Sequence, residues 1–135
     1  MTGMRLADEL PSVAGAYVLS IELPAPLDIV VRGRRHKLPA GRYVYCGSAR
    51  GPGGIAARVR RHCRTDKTIR WHIDRLTTVV PVAGVDAYPD EDECALVERW
   101  MARGARPVVP GFGSSDCRTC PAHLLAVPLQ AIAVG

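Results

Sequence analysis

The chain has 135 residues, of which 47% are hydrophobic and 23% charged, which is typical of one globular domain that buries its own core. Five cysteines, an odd number, exclude a full disulfide framework, and the uncharged stretch from Cys120 to Gly135 is too short to span a bilayer. With no signal peptide visible, we expect a soluble, cytoplasmic protein without a membrane partner. Residues 1–12 are predicted to form an extension, 13–128 the single domain and 129–135 a tail.

Positive charge is concentrated in one segment. The net charge is +5, but seven basic residues between Arg50 and Arg70 stand against one acid, Asp66, a local balance of +6. The rest of the chain is therefore close to neutral. Such a patch indicates either contact with an acidic partner, most often nucleic acid, or a solvated helix face, and charge alone does not separate the two.

The first third of the chain predicts three strands. Gly15–Leu23 (GAYVLSIEL) alternates in polarity toward its end, which predicts a strand with one buried face. Residues 28–33 predict a second strand, 34–39 a basic turn and 41–46 a third strand. This order favours a small antiparallel meander.

The stretch that follows combines a glycine-rich loop, residues 47–54, with a basic helix, residues 55–64. Projected at 100° per residue, Arg58 and His62 fall along one edge of the apolar stripe, at the seam between helix and sheet. Further cations face solvent: Arg60, Arg61 and Arg64. A loop and helix of this kind can present backbone N–H groups to a phosphate, or the loop can simply turn the chain.

The remaining elements complete an α/β prediction of the α+β type. Residues 71–76 predict a short helix, 79–88 an interrupted strand, Glu91–Arg103 a helix stopped by Gly104, and 123–127 a short strand. The expected architecture is a small, mainly antiparallel sheet of three or four strands flanked by helices.

Glu93 falls within the apolar stripe of the helix predicted over 91–103. A carboxylate in that position needs a partner or a function. It can act as the N3 residue of a capping box with Asp90 as N-cap, or it can bind a ligand, and the two interpretations are compatible.

Several residues predicted to point inward supply the chemistry of phosphodiester hydrolysis. Glu93 can hold a hydrated divalent cation, Arg58 can bind a phosphate, and tyrosines with a histidine can orient and deprotonate a water. The aromatic candidates are Tyr17, Tyr43, Tyr45 and His62. Together these are the residue types that hydrolysis assisted by a single metal ion requires.

At this point the sequence resembles a known family. Gly15-Ala16-Tyr17 and Tyr45-Cys46-Gly47 are similar to the paired motifs of the GIY-YIG nuclease superfamily, with Arg58 and His62 matching its helix and Glu93 its metal-binding glutamate. The phrases YVYCGSA, RHCR, WHID, DECAL and FGSSDC resemble its small stand-alone branch, which is sometimes found fused to endonuclease III. The resemblance covers about residues 13–127.

The resemblance implies a metal-dependent DNA nuclease, with DNA repair or processing as its setting. Tyr17 and Tyr45 would position the attacking water, and Arg58 would stabilise the charge on the phosphate. His62 would assist proton transfer, and Glu93 would bind Mg²⁺ or Mn²⁺. Further residues are expected to contact substrate: Gly47, Ser48, Arg61, Arg64, His72, Ser115 and Asp116. The chain contains no asparagine, the residue that many active members place after the glutamate. The alternative is a nucleic-acid-binding module of the same fold without turnover.

A second cluster lies near the C-terminus. Cys117, Cys120 and His123 offer three soft ligands, which suggests zinc and an interaction domain. A structural site needs a fourth ligand, which only the fold could bring from Cys46, Cys63 or His36. Alternatively this loop covers the active site, with Ser115, Asp116 and His123 at the substrate, or its cysteines only pack locally. Cys46 is better explained by packing than as a nucleophile.

Overall fold

In the computed structural model of the protein, residues 10–109, 112 and 122–128 are described. The strands are β1 (Gly15–Leu23), β2 (Leu27–Val31), β3 (Arg34–Leu38), β4 (Gly41–Ala49), β5 (Gly84–Pro89), β6 (Arg106–Pro107) and β7 (Leu124–Ala126). The helices are α1 (Gly54–Cys63), α2 (Asp74–Thr77) and α3 (Glu93–Ala102). An antiparallel five-stranded sheet has the order β5-β1-β4-β7-β6, and β2 and β3 form a separate hairpin. The predicted α+β class is confirmed, with more strands than expected.

Strand β1 lies between β5 and β4 and is buried on both faces over its first five residues. Tyr17 and Leu19 pack into a core that contains residues of α1, whereas Ala16 and Val18 pack into a second core with Leu96 of α3. The prediction of a single buried face is therefore wrong for this part of the strand. The two helices, distant in sequence, cover opposite sides of it.

The β2–β3 hairpin corrects the prediction of a basic turn over 34–39. Its turn is Arg32-Gly33, where both residues have positive φ (53° and 78°), the conformation of a type I′ two-residue turn. Because Gly33 adopts this conformation without steric cost, the chain reverses there, and the cations that follow lie on β3. The inner face of the hairpin, with Ile29 and Leu38, packs into the core beside α1.

The glycine-rich loop is shorter than predicted, because β4 continues to Ala49 and α1 begins at Gly54. The first amides of α1 are already bonded to backbone oxygens. Ile55 N donates to the Val13 carbonyl at 2.9 Å, Ala56 N donates to the Pro11 carbonyl at 2.9 Å, and Gly54 N donates to Gly51. The first amides of α1 are therefore not free to bind a phosphate, which favours the second interpretation of this stretch. Its role is to turn the chain so that α1 lies beside the sheet.

The later elements differ from prediction mainly at their ends. Helix α2 is a single turn, and β5 begins only at Gly84, after Pro81. Helix α3 ends as predicted before Gly104, whose φ of 101° is the left-handed conformation that stops a helix. In the described part of the chain, no helix is long and apolar enough to cross a membrane.

The packing at the start of α1 gives a stability prediction. A Cβ at Gly54, where φ is 60°, would lie 2.3 Å from the Val13 carbonyl oxygen, so Gly54→Ala must separate residues 11–13 from α1. We expect a loss of about 2 kcal/mol or more in the free energy of unfolding, measured in urea. The control is Gly51→Ala in the same loop, where a Cβ meets nothing within 4 Å. Equal unfolding midpoints for the two variants would contradict this account.

Candidate active site

The centre of the candidate site is the ring of Tyr17, which lies across β4 at Gly47. The two residues are cross-strand partners, and a Cβ at position 47 would be 2.3 Å from the Cζ atom of Tyr17. This close approach requires glycine. It leaves Tyr17 only 1% exposed and places its hydroxyl oxygen 2.7 Å from Nε2 of His62 on α1.

His62 is a neutral, buried imidazole. Burial, followed by the charge of Lys67, lowers its pKa from the ordinary 6.5 to about 3. Among the described residues its Nδ1 atom has no hydrogen-bond partner, so Tyr17 makes the side-chain hydrogen bond that orients the ring. His62 thus acts on the site through the Tyr17 hydroxyl.

Tyr45 completes an aromatic cluster on the same face of the sheet. Its ring centroid is 6.5 Å from that of Tyr17 and 6.1 Å from that of His62. Burial raises the pKa of both phenols above the usual 10, so both are protonated at neutral pH. Tyr43 lies on the same face, as predicted, but its hydroxyl donates to the Pro39 carbonyl at 2.6 Å.

Arg58 is the cation nearest to these phenols. Its Nη1 atom donates to the Ser48 carbonyl at 3.2 Å, and its charge lowers the pKa of both Tyr17 and Tyr45, against the larger effect of burial. A pocket of about 160 Å³ opens beside Arg58, lined by Ala49, Gly51, Pro52, Gly54, Ala57, Arg58 and Arg61. A phosphate group of a bound ligand has room here next to the guanidinium.

Glu93 reaches the site from the opposite face of the sheet. It is the first residue of α3, is half-buried, and lies beside the Ser48 side chain. Burial raises its pKa first, and the neighbouring carboxylate of Asp92 raises it further. Its charge also raises the pKa of Tyr17 and Tyr45, which places the carboxylate within electrostatic range of the phenols.

The capping-box interpretation of Glu93 is wrong. The N-cap of α3 is Asp92, without a side-chain capping bond, and not Asp90. Asp90 instead lies in a turn with a φ of 62°, and its amide donates to the Ala14 carbonyl at 3.1 Å. With Asp90 bonded to the segment before β1, helix α3 begins at Glu93, two residues later than predicted. The Glu93 carboxylate forms no capping box with Asp90 and is available for another role.

Two carboxylates are placed to hold a metal ion. Asp92, Glu93 and Cys94 have potential ligand atoms within 4.8 Å of one another, and no other such group of three occurs in the part of the chain described. Cys94 is disulfide-bonded, so it cannot act as a thiolate ligand. Crowded carboxylates with a raised pKa fit a hard divalent cation, which relieves their repulsion.

Three basic residues after Arg58 have structural partners. Arg61, predicted to face solvent and bind substrate, forms a two-pronged ion pair with Asp74 at 3.0 and 2.9 Å. The prediction of a solvent-facing Arg61 is wrong, because the interior carboxylate of Asp74 attracts it. Arg64 pairs at the surface with Asp66 at 3.4 Å, and Lys67 donates to the last carbonyls of α1.

Sequence reasoning missed Trp71 and Asp74, although both belong to the quoted phrase WHID. Asp74 is fully buried and also accepts bonds from the amides of Arg70 and Trp71, at 2.8 and 3.0 Å. The Trp71 ring lies between two guanidinium groups: Arg58 Cζ is 4.5 Å and Arg61 Cζ 4.3 Å from its centroid. The indication available in the sequence was a tryptophan followed three residues later by an aspartate, shortly after a basic helix.

The other predicted contacts are only partly described. His72 is half-buried and lies 5.5 Å, ring to ring, from Phe112, which in turn contacts Tyr45. Burial lowers the His72 pKa. The predictions for Ser115, Asp116, Cys117 and Cys120 lie outside the described residues.

The zinc hypothesis therefore concerns mainly residues outside the described part. His123 itself is buried, with its ring 6.5 Å from that of Tyr45. Cys46, Cys63 and His36 do not gather around it in a ligand group of three among the residues described. Burial, followed by the charge of Glu93, raises the pKa of the Cys46 thiol to about 12, which fits packing better than nucleophilic attack.

The buried His62 gives a pH prediction. Its pKa is lowered from 6.5 in the unfolded chain to about 3 in the folded protein, so only the unfolded state gains a proton on mild acidification. Stability should therefore fall as the pH decreases from about 6.5 toward 3, by up to about 1.4 kcal/mol per pH unit from this group. In His62→Gln this component should disappear from urea unfolding curves. An unchanged pH dependence would contradict the assignment.

Comparison with known proteins gives one match. A profile of the family described as "Domain of unknown function DUF123" matches residues 16–133, a span that includes Tyr17, Tyr45, Arg58, His62 and Glu93. No curated protein and no solved structure matches the chain. Since the match covers most of its length, the chain belongs to the DUF123 family.

Proposed function

We propose that this protein is a metal-dependent nuclease of the GIY-YIG type that hydrolyses phosphodiester bonds in DNA. One observation carries the proposal. The Tyr17–His62 pair and Tyr45 cluster on one face of β1 and β4, and Arg58 bonds the Ser48 carbonyl of β4. Glu93 lies beside the Ser48 side chain on the other face. Elements far apart in the chain thus supply the tyrosines, arginine, histidine and glutamate that the resemblance assigns to the reaction.

The chain's own residues would divide the work as follows. Arg58 binds the phosphate and stabilises the charge that develops on it. Tyr17 and Tyr45, protonated and buried, position the attacking water by hydrogen bonds. His62 is a positioning residue that orients the Tyr17 hydroxyl, because its low pKa disfavours a stable imidazolium.

Glu93, with Asp92 beside it, would hold a divalent cation, Mg²⁺ or Mn²⁺. Their carboxylate oxygens are suitable ligands for either ion. When bound, the ion supplies Lewis-acid polarisation of the phosphate and lowers the pKa of a coordinated water. A cytoplasmic setting in DNA repair or processing belongs to the same proposal.

The first test replaces the proposed metal ligand. Glu93→Gln should lower the cleavage rate of DNA in Mg²⁺ or Mn²⁺ by about 100-fold or more, because several kcal/mol of transition-state stabilisation depend on the ion. The matched control is Glu98→Gln, an exposed glutamate of the same helix. The substrate panel contains plasmid, single-stranded, branched and base-damaged DNA, with RNA for comparison.

Cleavage that persists at full rate in Glu93→Gln would contradict the role assigned to this residue. Binding without cleavage across the whole panel would instead favour the non-catalytic nucleic-acid-binding module. The absence of asparagine from the chain makes that outcome a specific alternative.

A second test concerns the support of Arg58. Removal of the Trp71 ring should cost about 1 kcal/mol of cation–π stabilisation and leave Arg58 less constrained. Trp71→Leu should therefore lower kcat about fivefold or more at unchanged fold, and Trp71→Phe should restore part of the rate. Trp100→Leu is the control, since Trp100 stacks with Arg103 on the α3 side. Equal rates for both leucine variants would exclude a positioning role for Trp71.

A further inference from the structure

The β2–β3 hairpin, residues 27–38, carries a cluster of cations that the proposed chemistry does not use. Arg32 lies at the turn, and three more exposed cations follow on β3: Arg34, Arg35 and Lys37. The only acid of the hairpin is Asp28, so four cations stand against one acid, a balance of +3. The total charge of the chain outside residues 50–70 is close to zero and so hides this patch. The acids between residues 86 and 98 offset the positive charge of the hairpin.

The hairpin cations differ from three cations of the helical segment in having no internal partners. Arg61 is held by Asp74, Arg64 is paired with Asp66, and Lys67 donates to carbonyls at the end of α1. By contrast, the four hairpin cations form no ion pair and no side-chain hydrogen bond with any residue in the described ranges. Their charge is therefore fully available to an external anion.

Arg32 occupies a position where an arginine does not favour folding. Its φ of 53° places it at the first central position of the type I′ turn, where asparagine, aspartate and glycine are preferred. The turn would form more readily with asparagine. Turn formation thus gives no reason for arginine, whereas a long cationic side chain at the tip is suited to contact a ligand.

The hairpin lies on the same side of the sheet as Tyr17, Tyr45 and α1. Its inner residues, Ile29 and Leu38, belong to the core that also contains Tyr17. At the tip, the charge of Arg32 contributes, after burial, to the lowered pKa of His72, whose ring contacts Phe112 beside Tyr45. The hairpin tip therefore lies near His72, which is joined through Phe112 to the Tyr45 side of the candidate site.

We propose that the basic hairpin is a second nucleic-acid contact, which binds the phosphate backbone of the DNA duplex whose scissile phosphate lies at Arg58. The choice of DNA rests on the proposed function. The charge argument is independent of it: a narrow two-stranded ribbon with unpaired cations at its tip and along β3 is complementary to a row of phosphates.

The test measures binding of a fluorescently labelled DNA duplex, without divalent cations, as a function of salt. Each lost phosphate contact should weaken binding about five- to tenfold at about 0.1 M salt and reduce the slope of log K against log salt by about 0.9. Arg32→Asn should show this loss while its urea unfolding midpoint is unchanged or higher. The triple variant Arg34→Gln/Arg35→Gln/Lys37→Gln should lose more. Arg103→Asn, which removes an exposed cation on the α3 side, should bind like the wild type.

The outcomes separate this inference from the nuclease proposal. Equal affinities and salt slopes for the wild type and both hairpin variants would overturn it, even if the wild type cleaves DNA. Failure of the wild type to bind duplex would also overturn it, as would competition by polyglutamate as effective as that by unlabelled duplex at equal charge. Weakened binding by the hairpin variants would support it even if no variant cleaves DNA.

Discussion

The close contact between the Tyr17 ring and the backbone of Gly47 is the constraint on which the site depends. Any side chain at position 47 would occupy the space of the phenol and move its hydroxyl away from His62. The next residue along β4, Ser48, faces the other side of the sheet, where its side chain lies beside Glu93, while its carbonyl accepts a hydrogen bond from Arg58. One step along a strand thus joins the α1 half of the site to the α3 half.

The two halves differ in their electrostatic character. On the α1 side the groups are buried and neutral, with phenols and an imidazole whose pKa values are all shifted away from ionisation. The α3 side carries two adjacent carboxylates. Arg58 lies between them and is half-exposed. A ligand with a phosphate and a divalent cation would be complementary to both sides. The phosphate would pair with the guanidinium, and the cation would pair with the two carboxylates.

Local patterns predicted those features of the fold that depend on neighbouring residues. The alternation at the end of β1, the 100° projection that placed Arg58 and His62 on the sheet side, and the glycine stop of α3 all follow from nearby sequence. The ion pair of Arg61 could not be predicted from nearby sequence. Its partner Asp74 is thirteen residues away, and only the packing of α2 against α1 brings the two together.

The capping box failed for a similar reason. The pattern D-x-x-E is present at residues 90–93. A backbone hydrogen bond from Asp90 to Ala14, which is distant in sequence, instead holds Asp90 in a turn. The basic hairpin was also misjudged, since arginines and lysine do not break a strand when a glycine nearby can make the turn. In both cases a tertiary or turn constraint outweighed the local pattern.

The bonded start of α1 has a consequence for how such a protein can change over time. In loops that bind phosphate through backbone amides, the ligand is specified by the course of the main chain, which single substitutions rarely alter. Here those amides are already paired with the carbonyls of residues 11–13 and 51. If α1 contacts a ligand, its side chains and not these amides would make the contact. A point substitution in α1 could then change ligand preference while the loop keeps its course.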